Sequence, residues 1–269
     1  MNFSAVLLIG LAGALALPST AKLAAQDTAD IGAESPVELT IYTENYPPFN
    51  YEELGEAQGL SVDLLLEMFK RAGIKKERHH IVVAPWATGF SAVQENPDTV
   101  LFSTVRTEAR ENQFTWVGPI AISRVALVAR RDNDIDVNNG KNLNNYKYGI
   151  VPNSSGHEAL QEGGVTTSNF VYLNSALSAA HLLARGRVDA WAFERVVSFY
   201  VLQQLGYRAQ DFKVVHAFKK QHYYFAFNKE TNPALLAKLQ TALDSIKTDG
   251  TMTSIVDSYI PGASQSLLD

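Results

Sequence analysis

The sequence predicts an α/β protein of two lobes, and three observations carry that expectation. Strand-like and helix-like segments alternate from Val37 to Tyr259. A polar, turn-rich stretch, Arg131 to Asn145, divides them into two halves of domain size. Apolar residues make up 46% of the chain and charged residues only 19%, enough for a sizeable core in each half.

The first half opens with Val37 to Thr43, alternating and β-branched, as a strand, followed by Leu60 to Ala72 at helical spacing and a stop at Gly73. His80 to Val83 reads as a strand, Ala87 to Glu95 as a helix and Thr99 to Ser103 as a strand. The apolar run FTWVGPI and then Arg124 to Arg130 are strand-like. After the polar divider come a short strand, Tyr148 to Val151, a helix start at Gly156 to Gln161, and a strand, Phe170 to Leu173. Ala176 to Arg185 is a helix ending at Gly186, Val188 to Phe193 a strand and Val197 to Leu205 a helix. Phe212 to Val215 and Tyr223 to Phe227 are strands, and Pro233 to Asp249 and Thr251 to Tyr259 are closing helices. Strands separated by helices imply largely parallel sheets. In open sheets of that kind ligands bind beyond the carboxyl ends of the strands, so a cleft between the lobes is the expected site.

Composition removes several function classes. With 23 basic against 28 acidic residues the net charge is −5, the wrong sign for a nucleic-acid footprint. The chain has no cysteine, which excludes disulfides, thiolate metal sites and a cysteine nucleophile. The six histidines, His79, His80 and His222 among them, have no spacing that converges on a metal, so neither metal nor cofactor is expected. Phe3 to Leu17 is an uncharged apolar run too short for a comfortable membrane span, and small residues follow it. Residues 1–25 are therefore expected to be an export signal, cleaved after Ala21 or Ala25, with 26–36 as a linker. Periplasmic localisation without lipid attachment follows from that reading.

The segment FSTVRTEARENQFTWVGPI, Phe102 to Ile120, carries two arginines four residues apart. A guanidinium offers a planar fork of donors that matches a carboxylate, so this segment is the first candidate for holding a small anion. Asn153, Ser154 and Ser155 form a second candidate, a polar turn between strand and helix. It offers hydroxyls and free backbone N–H groups to an anion, or Ser154 and Ser155 serve only to cap the helix.

The motifs YTENYPPFNYEELGEAQGLSVDLLLEMFKRAG, APWATGFSAV, STVRTEAR, FTWVGPI, ALVARRD, YGIVPNSSGHEAL, LLARGRVDAWAFE, YYFAFNKET and LDSIKTDGTMTSIVDSY occur in this order between Val37 and Ile260. In order and spacing the chain resembles the extracytoplasmic solute-binding proteins of family 3, the receptors of amino-acid ABC importers. The resemblance implies a type II periplasmic-binding fold that closes on its ligand by hinge motion. It implies lobe 1 over 37–127 and 224–269, lobe 2 over 128–223, and a hinge in Ala126 to Arg130 and Tyr224 to Phe227.

The same resemblance implies a ligand set. Arg110, at a helix start, pairs with the ligand α-carboxylate, the alternative being a surface pair with Glu108 or Glu111. Tyr46 and Phe49 form an aromatic wall stiffened by Pro47 and Pro48, the alternative, above all for Phe49, being a core aromatic packed under the proline turn. Trp86 lines or underlies the cleft, Ser103 contributes from its strand, and Ser154 with Ser155 grips from the second lobe. Glu194 receives the α-ammonium opposite Arg110. Arg106 lies outside the family set and is a lobe-surface charge or an extra cation for a dicarboxylate. Thr43 stands where binders of basic amino acids often carry an acid, and Val105 where a serine commonly bonds the carboxylate. The implied partners are a small amino acid or related carboxylate and a membrane permease, for a monomeric receptor. Two other readings share the fold: a dehydratase of prephenate-like acids with Glu194 as proton donor, and a sensing module for a membrane receptor.

Overall fold

In the computed structural model residues 38–268 are described, and the expected signal peptide and linker lie outside them. The chain begins with β1 (Thr40–Thr43), a hairpin of β2 (Tyr51–Glu53) and β3 (Glu56–Gln58), α1 (Leu60–Arg71), β4 (Ile81–Val83), α2 (Trp86–Glu95), β5 (Thr99–Val105) and β6 (Thr115–Ser123). The second lobe comprises β7 (Val125–Arg130), β8 (Tyr148–Ile150), α3 (Ser155–Glu162), β9 (Phe170–Tyr172), α4 (Ala176–Ala184), β10 (Ala190–Glu194), α5 (Arg195–Gln204) and β11 (Phe212–Ala217). The chain then returns through β12 (Gln221–Phe227), α6 (Pro233–Thr248), α7 (Thr251–Tyr259) and α8 (Ser264–Leu268). Among the described residues no helix is long and apolar enough to cross a membrane.

The strands form two five-stranded sheets, ordered β4-β1-β5-β12-β6 and β11-β7-β10-β8-β9. The parallel character read from the sequence holds for β4-β1-β5 and β10-β8-β9. The strands that enter and leave each lobe pair antiparallel: β12 with β5 and β6, β7 with β10 and β11. A strand arriving from the other lobe has no helical crossover to reverse it, so it can only run back along its neighbour.

Sheet membership moves the crossings from where the sequence put them. The chain passes between sheets at Arg124, the single residue between β6 and β7, and again at 218–220, between β11 and β12. Ala126 to Arg130 lies within β7 and Tyr224 to Phe227 within β12, each paired on both sides. A strand held by two ladders has little torsional freedom, whereas Arg124 and 218–220 lie outside the strands.

Packing follows the strand period. Along β10, Trp191 and Phe193 join a large core with Ile41, Phe102 and Leu202, whereas Ala190 and Ala192 face a second core around Leu127, Tyr148 and Leu160. Two glycines allow approaches that no side chain would. At Gly59 (φ 118°) a Cβ would lie 2.4 Å from the Phe49 carbonyl oxygen. That contact seats the NYPPF loop on α1, whose first N–H groups, of Leu60 and Ser61, donate to Pro48 and Phe49 carbonyls at 3.1 and 2.8 Å. At Gly156 a Cβ would lie 2.1 Å from the Ala192 carbonyl oxygen, so the start of α3 sits directly on β10.

Candidate functional site

Loops at the carboxyl ends of β1 and β5, the start of α2 and the turn before α3 converge between the lobes on a small chamber. Its lining comprises Glu44, Tyr46, Trp86, Ser103, Val105, Arg110, Ser154, Ser155, Phe193 and Tyr223, and its free volume is about 20 Å³, room for one water. Six of the sequence-predicted residues, Arg110, Tyr46, Trp86, Ser103, Ser154 and Ser155, are thereby brought together.

Arg110 is the centre of this chamber, 1% exposed. It closes a one-turn 3-10 helix, Glu108–Arg110, rather than opening a longer helix, because the chain must extend again at β6. The backbone donors expected from a helix start are therefore absent at this position, and its own N–H is bonded to the Thr107 carbonyl. The guanidinium reaches across to lobe 2. Nε donates to Glu158 Oε1 at 2.7 Å, Nη2 to the Asn153 carbonyl at 2.6 Å, and Nη1 to the Val105 carbonyl of its own lobe at 3.2 Å. Burial pushes its pKa down and the Glu158 carboxylate opposes that shift. The rings of Trp86 and Phe90 lie 5.7 and 5.3 Å from its Cζ.

Glu158 is the partner that sequence reasoning did not find, in place of Glu108 or Glu111. It sits in the first turn of α3, four residues after the Ser154 cap, and is also bonded by Thr107 Oγ1 at 3.3 Å. Asn153, in the left-handed region (φ 60°), turns its carbonyl toward lobe 1, where Trp86 Nε1 also donates to it at 3.0 Å. Ser154 caps α3, accepting from the His157 N–H at 3.3 Å, and Ser155 is the first helical residue.

Tyr46 forms the opposite wall. Its hydroxyl lies 2.8 Å from that of Tyr223, and its ring meets Phe193 of lobe 2 edge-on at 5.2 Å. Phe49 is fully buried behind it, against Tyr46 and Tyr223, and does not reach the chamber. Ser103 has φ 56° within β5, and its hydroxyl turns away to Asn50 Oδ1 (2.5 Å) and Ser61 Oγ (3.0 Å). Glu44 is a second residue that sequence reasoning missed, although it lies in the same TENYPPF loop. It is half-buried; its backbone carbonyl accepts from Asn50 Nδ2 at 2.8 Å, its carboxylate has no hydrogen-bond or ion-pair partner among the described residues, and burial pushes that carboxyl up to about 8.

Glu194 is not in this chamber. Alternation along β10 sends it to the side away from Phe193, and it caps α5, accepting from the Val197 N–H at 2.8 Å and the Arg124 N–H at 3.4 Å. Burial pushes its carboxyl up to about 7, against the backbone bonds that lower it. It lines a second, larger cavity of about 550 Å³ beside the Arg124 crossing. Arg106 is a surface charge, bound to Glu111 at 2.7 and 2.5 Å, over Trp116 and Tyr224. Among the described residues no group of three or more His, Asp or Glu side chains is arranged to hold a metal ion.

Comparison with known proteins gives the family and the fold. A sequence profile of the bacterial extracellular solute-binding proteins, family 3, matches residues 39–262. A histidine kinase sensor domain with similarity to periplasmic binding proteins superposes with a TM-score of 0.74 at 22% identity, covering 84% of this chain and 98% of its own. An ancestral arginine-binding protein bound to glutamine gives 0.71 at 25% identity, covering 83% and 97%. The arginine-, lysine- and histidine-binding protein of Geobacillus stearothermophilus gives 0.72 at 20% identity, covering 85% and 99%. No curated protein sequence gives a significant match.

Proposed function

Because the chain belongs to the bacterial extracellular solute-binding proteins of family 3, we propose that it captures a small amino acid or related carboxylate between its lobes and delivers it to an ABC-type importer. One observation carries this reading: Arg110, buried in lobe 1, grips a carboxylate of lobe 2 at 2.7 Å across the cleft. Glu158 thus occupies the position that a solute carboxylate would take, and the guanidinium fork is already oriented for it. In the opened protein a solute carboxylate exchanges with Glu158 on Arg110, with the Ser154 and Ser155 turn as its second grip.

Glu44 supplies the acid for an ammonium within the same chamber, and Tyr46 and Trp86 shape its apolar walls. Closure is favoured to the extent that the solute binds the closed pair of lobes better than the open one. The reading includes export to the periplasm and action as a monomer. A dehydratase acting on a prephenate-like acid draws on one feature, the carboxyl of Glu194 held near 7, which suits a general acid at neutral pH.

The test is calorimetric titration of the full chain with the common amino acids, small dicarboxylates and prephenate. A saturable amino-acid signal that disappears in Arg110→Ala is the expected result. Equal affinity in that variant would overturn the assignment of Arg110, and prephenate turnover that vanishes in Glu194→Gln would replace the receptor with the enzyme.

A further inference from the structure

The larger cavity differs in kind from the Arg110 chamber and shares no lining residue with it. At about 550 Å³ it falls within the size range of small-molecule sites. Its walls come from both lobes and are mainly apolar: Ile122, Phe199, Tyr200, Ile260, Pro261 and Leu267. Two arginines complete it. Arg124 is the residue at which the chain crosses between the sheets, Arg195 opens α5, and the Arg195 N–H donates to the Arg124 carbonyl at 3.0 Å.

Both arginines are exposed, and neither guanidinium has a hydrogen bond or ion pair among the described residues. Arg71, Arg106, Arg110, Arg130 and Arg208, by contrast, each hold a carboxylate. The acid nearest to hand is Glu194, whose oxygens are already committed to the Val197 and Arg124 N–H groups. Two cations against one occupied carboxylate leave the polar end of the cavity positive, while its body is aromatic and aliphatic.

We infer that this cavity is a second binding site, for a small amphipathic anion: an aryl or alkyl carboxylate whose head sits between Arg124 and Arg195 and whose apolar body lies between α5 and the segment 259–267. The apolar body supplies affinity through buried area and the paired guanidiniums select a carboxylate over an amine. The site goes beyond the solute-receptor reading and does not depend on it, since Arg110 plays no part in it.

The probes are 3-phenylpropionate, octanoate and 3-phenylpropylamine, titrated calorimetrically into the full chain. Both carboxylates bind and the amine does not. Arg124→Gln with Arg195→Gln weakens carboxylate binding at least about tenfold, the loss of one charge-assisted contact. Gln203→Trp, on the exposed face of α5 at the cavity, narrows the space and weakens binding, and unchanged melting shows that each of these variants folds. An excess of a mixture of the common amino acids leaves carboxylate affinity as it is in their absence. The site is refuted by silence with both carboxylates, by equal binding of the amine, by undiminished binding in Gln203→Trp or the double arginine variant, or by displacement by the amino-acid mixture. The last result would assign the probe to the cleft and leave the solute-receptor reading intact.

Discussion

The two cavities that meet at the end of β10 solve opposite problems. In the Arg110 chamber the lobes are tied together: a buried guanidinium is bonded to a carboxylate and a carbonyl of lobe 2 and a carbonyl of its own lobe, an indole N–H shares the lobe 2 carbonyl, and about 20 Å³ of space is left. Beside the Arg124 crossing there are about 550 Å³ of mostly apolar space, with two exposed arginines that form no ion pair among the described residues. A buried charge must be satisfied by the chain itself, because leaving it unpaired costs several kcal/mol. An exposed one is satisfied by water until something better arrives. A ligand of the first site must therefore displace a protein group, whereas a ligand of the second has only to shed water.

The largest expected effect breaks the tight side of this contrast. Arg110→Ala takes the charged cross-lobe donor from the Glu158 carboxylate and the Asn153 carbonyl, leaving only Thr107 Oγ1 and Trp86 Nε1 on them, and should lower stability by about 3 kcal/mol in urea unfolding. A loss below about 1 kcal/mol would mean that the latch is no more than a surface pair. Glu158→Gln keeps shape and one acceptor but removes the charge. A loss of roughly 2 kcal/mol is expected, together with a larger thermal shift on adding the preferred amino acid, since the internal competitor for Arg110 is gone. An unchanged ligand shift would show that Glu158 does not compete.

A pH series probes both sides at once. Glu44 is raised to about 8 and Glu194 to about 7, so between the ordinary glutamate range and those values the folded protein holds more protons than the unfolded chain. Their contribution is complete below the ordinary glutamate pKa and is lost as pH rises through 7 and then 8. Melting temperature should fall across that window. Glu194→Gln should flatten its lower part and Glu44→Gln its upper part; a wild-type profile flat from pH 5 to 8 would contradict both assignments. The smallest effect belongs to Arg106→Ala. Its pair with Glu111 is exposed at 38% and 45%, so less than about 1 kcal/mol of stability and no change in binding at either site are expected.

Much of the fold was legible because its signals are local. Helix α1 runs Leu60–Arg71 against an expected Leu60 to Ala72, and α7 runs Thr251–Tyr259 as read. The spacing of apolar residues and the glycine stop are properties of short windows. The β2–β3 hairpin was missed because its polar sequence, YEE and EAQ, carries no period-two apolar signal. Tyr46, Trp86, Arg110, Ser154 and Ser155, singled out from motifs, line one chamber, and Glu44, which also lines it, could have been singled out too, since it lies two residues before Tyr46 in the same loop. Glu158 left no such mark: an acid in the first turn of a helix is an ordinary feature.

By itself, the sequence determined the order of strands and helices, the division into two lobes, the absence of thiol chemistry and the candidacy of Arg110 for a carboxylate. Each rests on composition, on periodicity or on a motif within one short stretch. Only the tertiary structure decided which carboxylate Arg110 holds, 48 positions away, and that Glu194 turns to the far side of β10 to cap α5. It alone set the crossings at Arg124 and 218–220 and drew Arg124 and Arg195 to one apolar cavity. Those outcomes depend on register between strands distant in sequence and on the approach of a helix to a sheet through Gly156. Pairings of that kind are fixed by packing the whole chain, and no local window contains them.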